Sequence, residues 1–219
     1  GFPRLLMDYG TCGLTEGLVA GGATPVKNWL LAGKQAFPTL DKIADFDTVI
    51  QYQVKKYGCS NCPIACGGIF KVSKGPYPLA EVHKPEYETI AAFGTMCMND
   101  NLLSIIKLND MCNRSGLDTI SAGSVLAFAM ECFEKGIITK SDTEGIELTW
   151  GNAEAMVAML KKIIRREGLG DVETPRSAPS TSVDRNLDCI MPHFCQAGAR
   201  GLSAIPPLDA TQLLLLWLV

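Results

Sequence analysis

Residues 57–68 read YGCSNCPIACGG, and no other stretch constrains the fold as tightly. Cys59, Cys62 and Cys66 fall within eight residues, with Gly58 before them and Gly67 and Gly68 after. Gaps of two and three residues aim successive sulfurs at one centre only if the backbone turns tightly, so a Gly-rich cysteine loop is expected here. Thiolates are preferred ligands for zinc and for iron–sulfur clusters. The flanking glycines relieve crowding and leave backbone N–H groups free to bond to cluster sulfides.

Known spacings narrow the choice. A zinc knot usually presents a second C-x2-C or a pair of histidines, and neither follows. Radical-SAM enzymes use the reverse order, C-x3-C-x2-C, and bacterial ferredoxins use C-x2-C-x2-C-x3-C-P, whose gaps differ from these. Cys97 and Cys112 stand alone, and Cys112 lies within a helical pattern where a buried thiol is the plain reading. Three readings stay open: core cysteines, a structural zinc, and a [4Fe-4S] cluster with its fourth ligand elsewhere. The spacing and the glycines favour the cluster.

The rest of the chain is mostly helical. DFDTVIQYQVKKYG predicts a helix capped by Asp45 or Asp47, burying Phe46, Val49, Ile50 and Val54 and stopping at Gly58. A second helix runs through Leu102, Leu103, Ile106 and Met111 and ends at Gly116. SAGSVLAFAMECFEKG, from Ser121 to Gly136, is apolar nearly all round, which predicts burial on most sides. NAEAMVAMLKKIIRREG caps at Asn152, buries Met156, Leu160, Ile163 and Ile164, and turns basic at its end, as the helix dipole favours. Strand signals are confined to GIFKVSKG (68–75), one strand of a hairpin, and a weaker GIELTW (145–150). The expected fold is therefore mainly α, a helical domain with little β. Residues 1–171 form this domain. Residues 172–219 form an atypical tail without Lys or clear period, ending in LLLLWLV.

Composition excludes some partners. The 219 residues are 47% hydrophobic and 20% charged with a net charge of -3, and no basic run suggests nucleic acid. The opening GFPRLLMDYGTCG lacks a secretory pattern, and the terminal apolar run is well short of the about 20 residues a spanning helix needs. Nine cysteines, an odd number, argue against a closed disulfide framework and for a reducing cytoplasm. The first residue is not Met, so a piece of a longer protein is expected.

A second constellation lies at MCNRSGLDTIS (111–121), which joins two helices. Gly116 can end the first, and Asp118 or Ser121 can cap the second. The same loop turns N–H groups, an amide and a carboxylate toward one point, which suits a polar heterocycle such as a pterin.

Taken with YGTCGL (9–14), GATPVKNW (22–29), GCSNCPIACG (58–67), KPEYETIAAFG (84–94) and CNRSGLDTISAGSVLAFAMECFEKG (112–136), residues 1–171 resemble the tungsten-dependent aldehyde:ferredoxin oxidoreductase family. The resemblance implies a [4Fe-4S] cluster on Cys59, Cys62 and Cys66. It implies a tungsten or molybdenum bis-pterin touched by Asn113, Gly116, Leu117 and Asp118, with Asn113 where some members carry Asp. It places a catalytic glutamate at Glu86, with Glu88 as second choice. The implied activity is oxidation of a small aldehyde to a carboxylic acid, with ferredoxin as electron acceptor, and a homo-oligomer is compatible with it. A relative that reduces an aromatic acyl-CoA is a neighbouring reading, and a non-catalytic helical zinc module is a reading of another class. The family's N-terminal β-rich domain would precede residue 1. Its last domain would supply a histidine, a second loop and the fourth cluster cysteine, so the fragment alone is expected to be inactive. Cys189, Cys195 and His193 lack that setting, and His83 reads as a hydrogen-bonded surface residue.

Overall fold

Glycines recur through the first third of the chain, and its elements are correspondingly short. In the computed structural model, which describes residues 1–172, these are helices α1 (Phe2–Tyr9), α2 (Thr15–Ala20), α3 (Asp41–Ala44) and α4 (Phe46–Ile50). A three-stranded antiparallel sheet follows in the order β1 (Gln53–Tyr57), β2 (Gly67–Val72), β3 (Leu79–His83). Helices α5 (Tyr87–Phe93), α6 (Leu102–Ser115), α7 (Thr119–Glu134), α8 (Ala153–Arg165) and the short α9 (Leu169–Val172) complete the described residues. The fold is mainly α with a small sheet, as the periodicity implies.

Local chemistry sets the long helices. Asn101, Asp118 and Asn152 accept the backbone N–H of Ser104 (3.2 Å), Ser121 (2.6 Å) and Ala155 (3.1 Å), satisfying donors that a helix start leaves open. At the end of α6, Gly116 adopts φ 67°, a left-handed conformation that costs glycine little. Asp118, not Ser121, is thus the cap of α7. The buried faces of α5, α6, α7 and α8 meet in one core around Ile90, Phe93, Ile105, Leu126, Met130 and Leu160.

Helices α5 and α7 cross at a glycine. A methyl group on Gly123 would lie 2.6 Å from the Ala92 side chain and 2.8 Å from its carbonyl carbon and oxygen. Such contacts are closer than packed atoms tolerate, so the approach depends on the missing side chain. It brings the N-termini of the two helices together.

Two expectations are corrected. The helix expected over 45–58 is only α4: Asp45 does cap it, accepting the Thr48 N–H at 2.9 Å, but the chain then extends into β1. β1 pairs with β2 in the register Lys55↔Ile69, Lys56↔Gly68, Tyr57↔Gly67, and Val54, expected to be buried, is 58% exposed. Pairing with β2 outweighs the weak local helical period, a common outcome for a short segment. GIELTW forms no strand either. Its groups bond locally, with Thr143 Oγ1 donating to the Ile146 carbonyl at 2.6 Å, while Leu148 fills the core. GIFKVSKG does contain a strand, with Phe70 and Val72 buried and Lys71 exposed. In α8, Met156 and Leu160 are buried, while Ile163 and Ile164 are half-buried. Of the tail expected from 172 onward, all but the first residue lies outside the described residues, as do Cys189, His193 and Cys195. No helix among the described residues is long and apolar enough to cross a membrane.

Candidate functional site

The three clustered cysteines occupy the connection between β1 and β2, residues 58–66. Cys59 and Cys62 are exposed and Cys66 is half-buried. The Cys62 N–H donates to the Cys59 carbonyl at 3.1 Å, closing a turn. Asn61 and Ala65 sit at φ 59° and 48°, the left-handed region that costs a side-chain-bearing residue about 1–2 kcal/mol. The backbone N–H groups of Ile64 and then Ala65 face the Cys62 sulfur and draw its pKa down, favouring the thiolate. A side chain on Gly58 would sit 3.0 Å from Ala65, and one on Gly67 would run into the Tyr57 ring. The glycines therefore let the loop fold back on its own strands.

A soft metal or cluster fits this loop in donor chemistry and in the N–H groups turned toward sulfur. It does not yet fit in convergence. Among the described residues no three His, Cys, Asp or Glu side chains form a group able to hold a metal ion. Ligation requires the exposed sulfurs to rotate onto a common centre. The other thiols among the described residues are of a different kind: Cys12, Cys97, Cys112 and Cys132 are all buried in the core. Burial pushes Cys12 up to about 11, which keeps it a neutral thiol at pH 7.

Glu86 lies at the N-terminus of α5 but does not cap it. Its carboxylate instead accepts a short hydrogen bond from Thr11 Oγ1, and Thr11 Oγ1 in turn accepts the Tyr87 N–H at 2.9 Å. Thr24 Oγ1 and Tyr87 Oη, 2.9 Å apart, tie the next turn down. Glu88 is half-buried, and its Oε1 is buried without a hydrogen-bond partner. Burial raises the Glu88 carboxyl above the ordinary range, and the Glu86 charge adds to the rise. One glutamate is therefore held and the other has an oxygen to offer.

The 113–118 loop joins this corner through hydroxyls and amides. Thr89 Oγ1 on α5 and Thr119 Oγ1 on α7 are 2.9 Å apart. Asn109 Nδ2 donates to the His83 carbonyl at 2.9 Å, and Asn113 Nδ2 reaches Asn109 Oδ1 at 3.4 Å. Asn113, Gly116 and Asp118 are exposed, and Leu117 packs half-buried against the core. The Ser121 hydroxyl and N–H hold the Asp118 carboxyl below its usual range, so it is ionised. His83 is exposed, with Nδ1 2.8 Å from Tyr57 Oη.

Thr11, Thr89 and Thr119 join these segments, as does Lys84, whose Nζ donates to the Tyr9 carbonyl at 2.6 Å, and sequence reasoning assigned no role to any of them. Their partners lie far away in the chain, and isolated hydroxyls carry no periodic signal. Thr11 gives a direct check. Thr11→Val removes both of its bonds and strands the Tyr87 N–H, lowering unfolding free energy by about 1–3 kcal/mol in urea titrations. Thr11→Ser should keep most of that stability, and equal midpoints for the Val and Ser variants would remove the latch.

Residues 2–173 match the family model for aldehyde ferredoxin oxidoreductase, domains 2 and 3. The tungsten-containing aldehyde ferredoxin oxidoreductase of Pyrococcus furiosus is 37% identical over 167 residues, covering 76% of this chain and 26% of that protein. The enzyme of the same name from Thermococcus kodakarensis is 35% identical with the same coverage. An aliphatic sulfonate oxidoreductase, WOR-like subunit, of Pyrococcus furiosus is 31% identical, covering 75% and 26%. Among solved structures, the active site complex BamBC of benzoyl coenzyme A reductase aligns with a TM-score of 0.58 at 25% identity, over 74% of this chain and 22% of that one. The chain thus spans about a quarter of the length of the curated relatives it matches.

Proposed function

The chain belongs to the aldehyde ferredoxin oxidoreductase family, and from that membership we propose that it is the central part of a cytoplasmic enzyme oxidising a small aldehyde to a carboxylic acid. A [4Fe-4S] cluster held by the cysteine loop would supply one-electron transfer toward ferredoxin. The observation that carries the reading is the latching of three motif segments at one corner, through Thr11 to Glu86, Thr89 to Thr119, and Asn109 to His83.

Cys59, Cys62 and Cys66 would supply three thiolates to the cluster. The 113–118 loop would meet the pterin with the amide of Asn113, the carboxylate of Asp118 and the backbone at Gly116 and Leu117. When bound, the cluster and a tungsten or molybdenum bis-pterin supply the redox chemistry, which removes two electrons as a water oxygen joins the carbonyl carbon. The protein's part is position and proton transfer. Glu86, fixed by Thr11, orients. Glu88, with a raised pKa and an unpartnered oxygen, takes the proton released by the nucleophilic water and passes it to solvent.

The test is aldehyde-dependent reduction of ferredoxin by the complete protein that contains this chain, purified anaerobically. Glu88→Gln should lower kcat about 10²–10⁴-fold with little change in KM, the usual cost of a lost general base. Glu86→Gln should raise KM and lower kcat together, because it loosens position. Unchanged turnover in both would sink the assignment of the glutamates. The likeness to the benzoyl coenzyme A reductase complex supports a second reading, in which the same site runs as a reductase of an aromatic acyl-CoA. Turnover of an aromatic acyl-CoA but no aldehyde would select it. A colourless protein carrying one zinc would instead indicate the structural module.

A further inference from the structure

We propose that the outer face of the three-stranded sheet is a docking surface for an acidic protein, and that its occupant is the ferredoxin of the reading above, on which this choice of partner rests.

Most lysines among the described residues sit in an ion pair with a carboxylate. Lys55, Lys71 and Lys74 are exposed and have no such partner among those residues. All three lie on β1, on β2 or in the turn that follows β2. Two of them share one face. Phe70 and Val72 turn into the core, so Lys71 between them turns outward. Ile69, two residues before Lys71, is on the same outer side, and Lys55 is its partner across the strands. Lys55 and Lys71 are therefore diagonal neighbours on the outer face, where like charges repel unless something negative covers them. Lys56 points the other way, its Nζ donating to the Met7 carbonyl at 2.8 Å. Glu81 is the one acid on the three strands.

The same face is held in shape. Tyr57 pairs with Gly67, and a methyl on that glycine would lie 2.6 Å from the Tyr57 ring. The ring therefore crosses β2 at the glycine and meets His83 on β3, with Oη 2.8 Å from Nδ1. A tyrosine, a histidine and two lysines are thus presented on one face beside the 58–66 connection. The chain as a whole has a net charge of -3, so the positive face is local, and it selects a partner of opposite sign. A second copy is the wrong occupant, because contact of this face with itself would set lysine against lysine.

The experiment is a calorimetric titration of the complete protein, purified anaerobically, with ferredoxin from the same organism at about 0.05 M and about 0.2 M salt. Binding should weaken as salt rises. Lys55→Glu and Lys71→Glu should each raise Kd about tenfold at the lower salt and flatten the salt dependence, while Lys55→Arg and Lys71→Arg stay close to the parent. Lys161→Glu makes the same change in net charge on α8, off the sheet, and should leave Kd unchanged. Acetylation by an N-hydroxysuccinimide ester, read by mass spectrometry, should reach Lys55 and Lys71 in the free protein and be blocked by ferredoxin. Equal Kd in the parent and both sheet Glu variants overturns the inference, as does an equal loss in Lys161→Glu. Resistance of Lys55 and Lys71 to acetylation in the free protein means that the rest of the chain or a second copy covers them, which also overturns it. A parent that binds no ferredoxin at either salt concentration removes the ferredoxin reading itself, a failure separate from binding that ignores residues 55 and 71.

Discussion

Cys62→Ser should abolish iron and acid-labile sulfide incorporation in the complete protein. Cys62 stands at the centre of the cysteine loop, exposed and already faced by the N–H groups of Ile64 and Ala65. Those groups favour the thiolate, the form that binds metal. A serine hydroxyl at the same place keeps the volume but offers a hard oxygen that stays protonated near neutral pH, which a soft iron site rejects. Because the residue is exposed, unfolding free energy of the metal-free protein should move by no more than about 0.5 kcal/mol. That separates ligand loss from misfolding. Cys112→Ser is the control, since this thiol is fully buried in α6 and should affect stability rather than iron. Full iron content in Cys62→Ser counts against ligation by this loop.

The second large effect lies in the core. Gly123→Val should lower unfolding free energy by about 3 kcal/mol or more, the upper end for overpacked cores. The atoms it would strike include the Ala92 carbonyl carbon and oxygen, which belong to helix backbone and cannot rotate aside. Relief requires α5 and α7 to separate, and separation breaks the contact between Thr89 and Thr119. Glu86 and Glu88 then lose their place beside the 113–118 loop, so activity should fall further than stability alone explains. Gly123→Ala tests the same contact at smaller scale. Urea denaturation within about 0.5 kcal/mol of the parent for Gly123→Val would show that the crossing has slack.

The family model over residues 2–173 and a relative 37% identical carry the family. The chain is similar to a sulfonate oxidoreductase subunit and to a benzoyl coenzyme A reductase complex, over about three quarters of its length in each case.

Much was legible from the chain alone because it is written locally. Asn101, Asp118 and Asn152 cap helices within three residues of themselves, and Gly116 ends one by its own backbone freedom. The apolar run of α7 announces burial wherever it lands. The cysteine cluster and its glycines announce a loop. The tertiary structure decided what those signals omit. Gln53–Tyr57 is a strand because β2 lies beside it, and no pattern inside those five residues says so. Thr11 meets Glu86 across 75 residues, and Lys84 reaches the Tyr9 carbonyl across the same span. Caps and turns are settled by neighbours in sequence, whereas latches, strand partners and buried charges are settled by neighbours in space, which only the folded chain brings within reach.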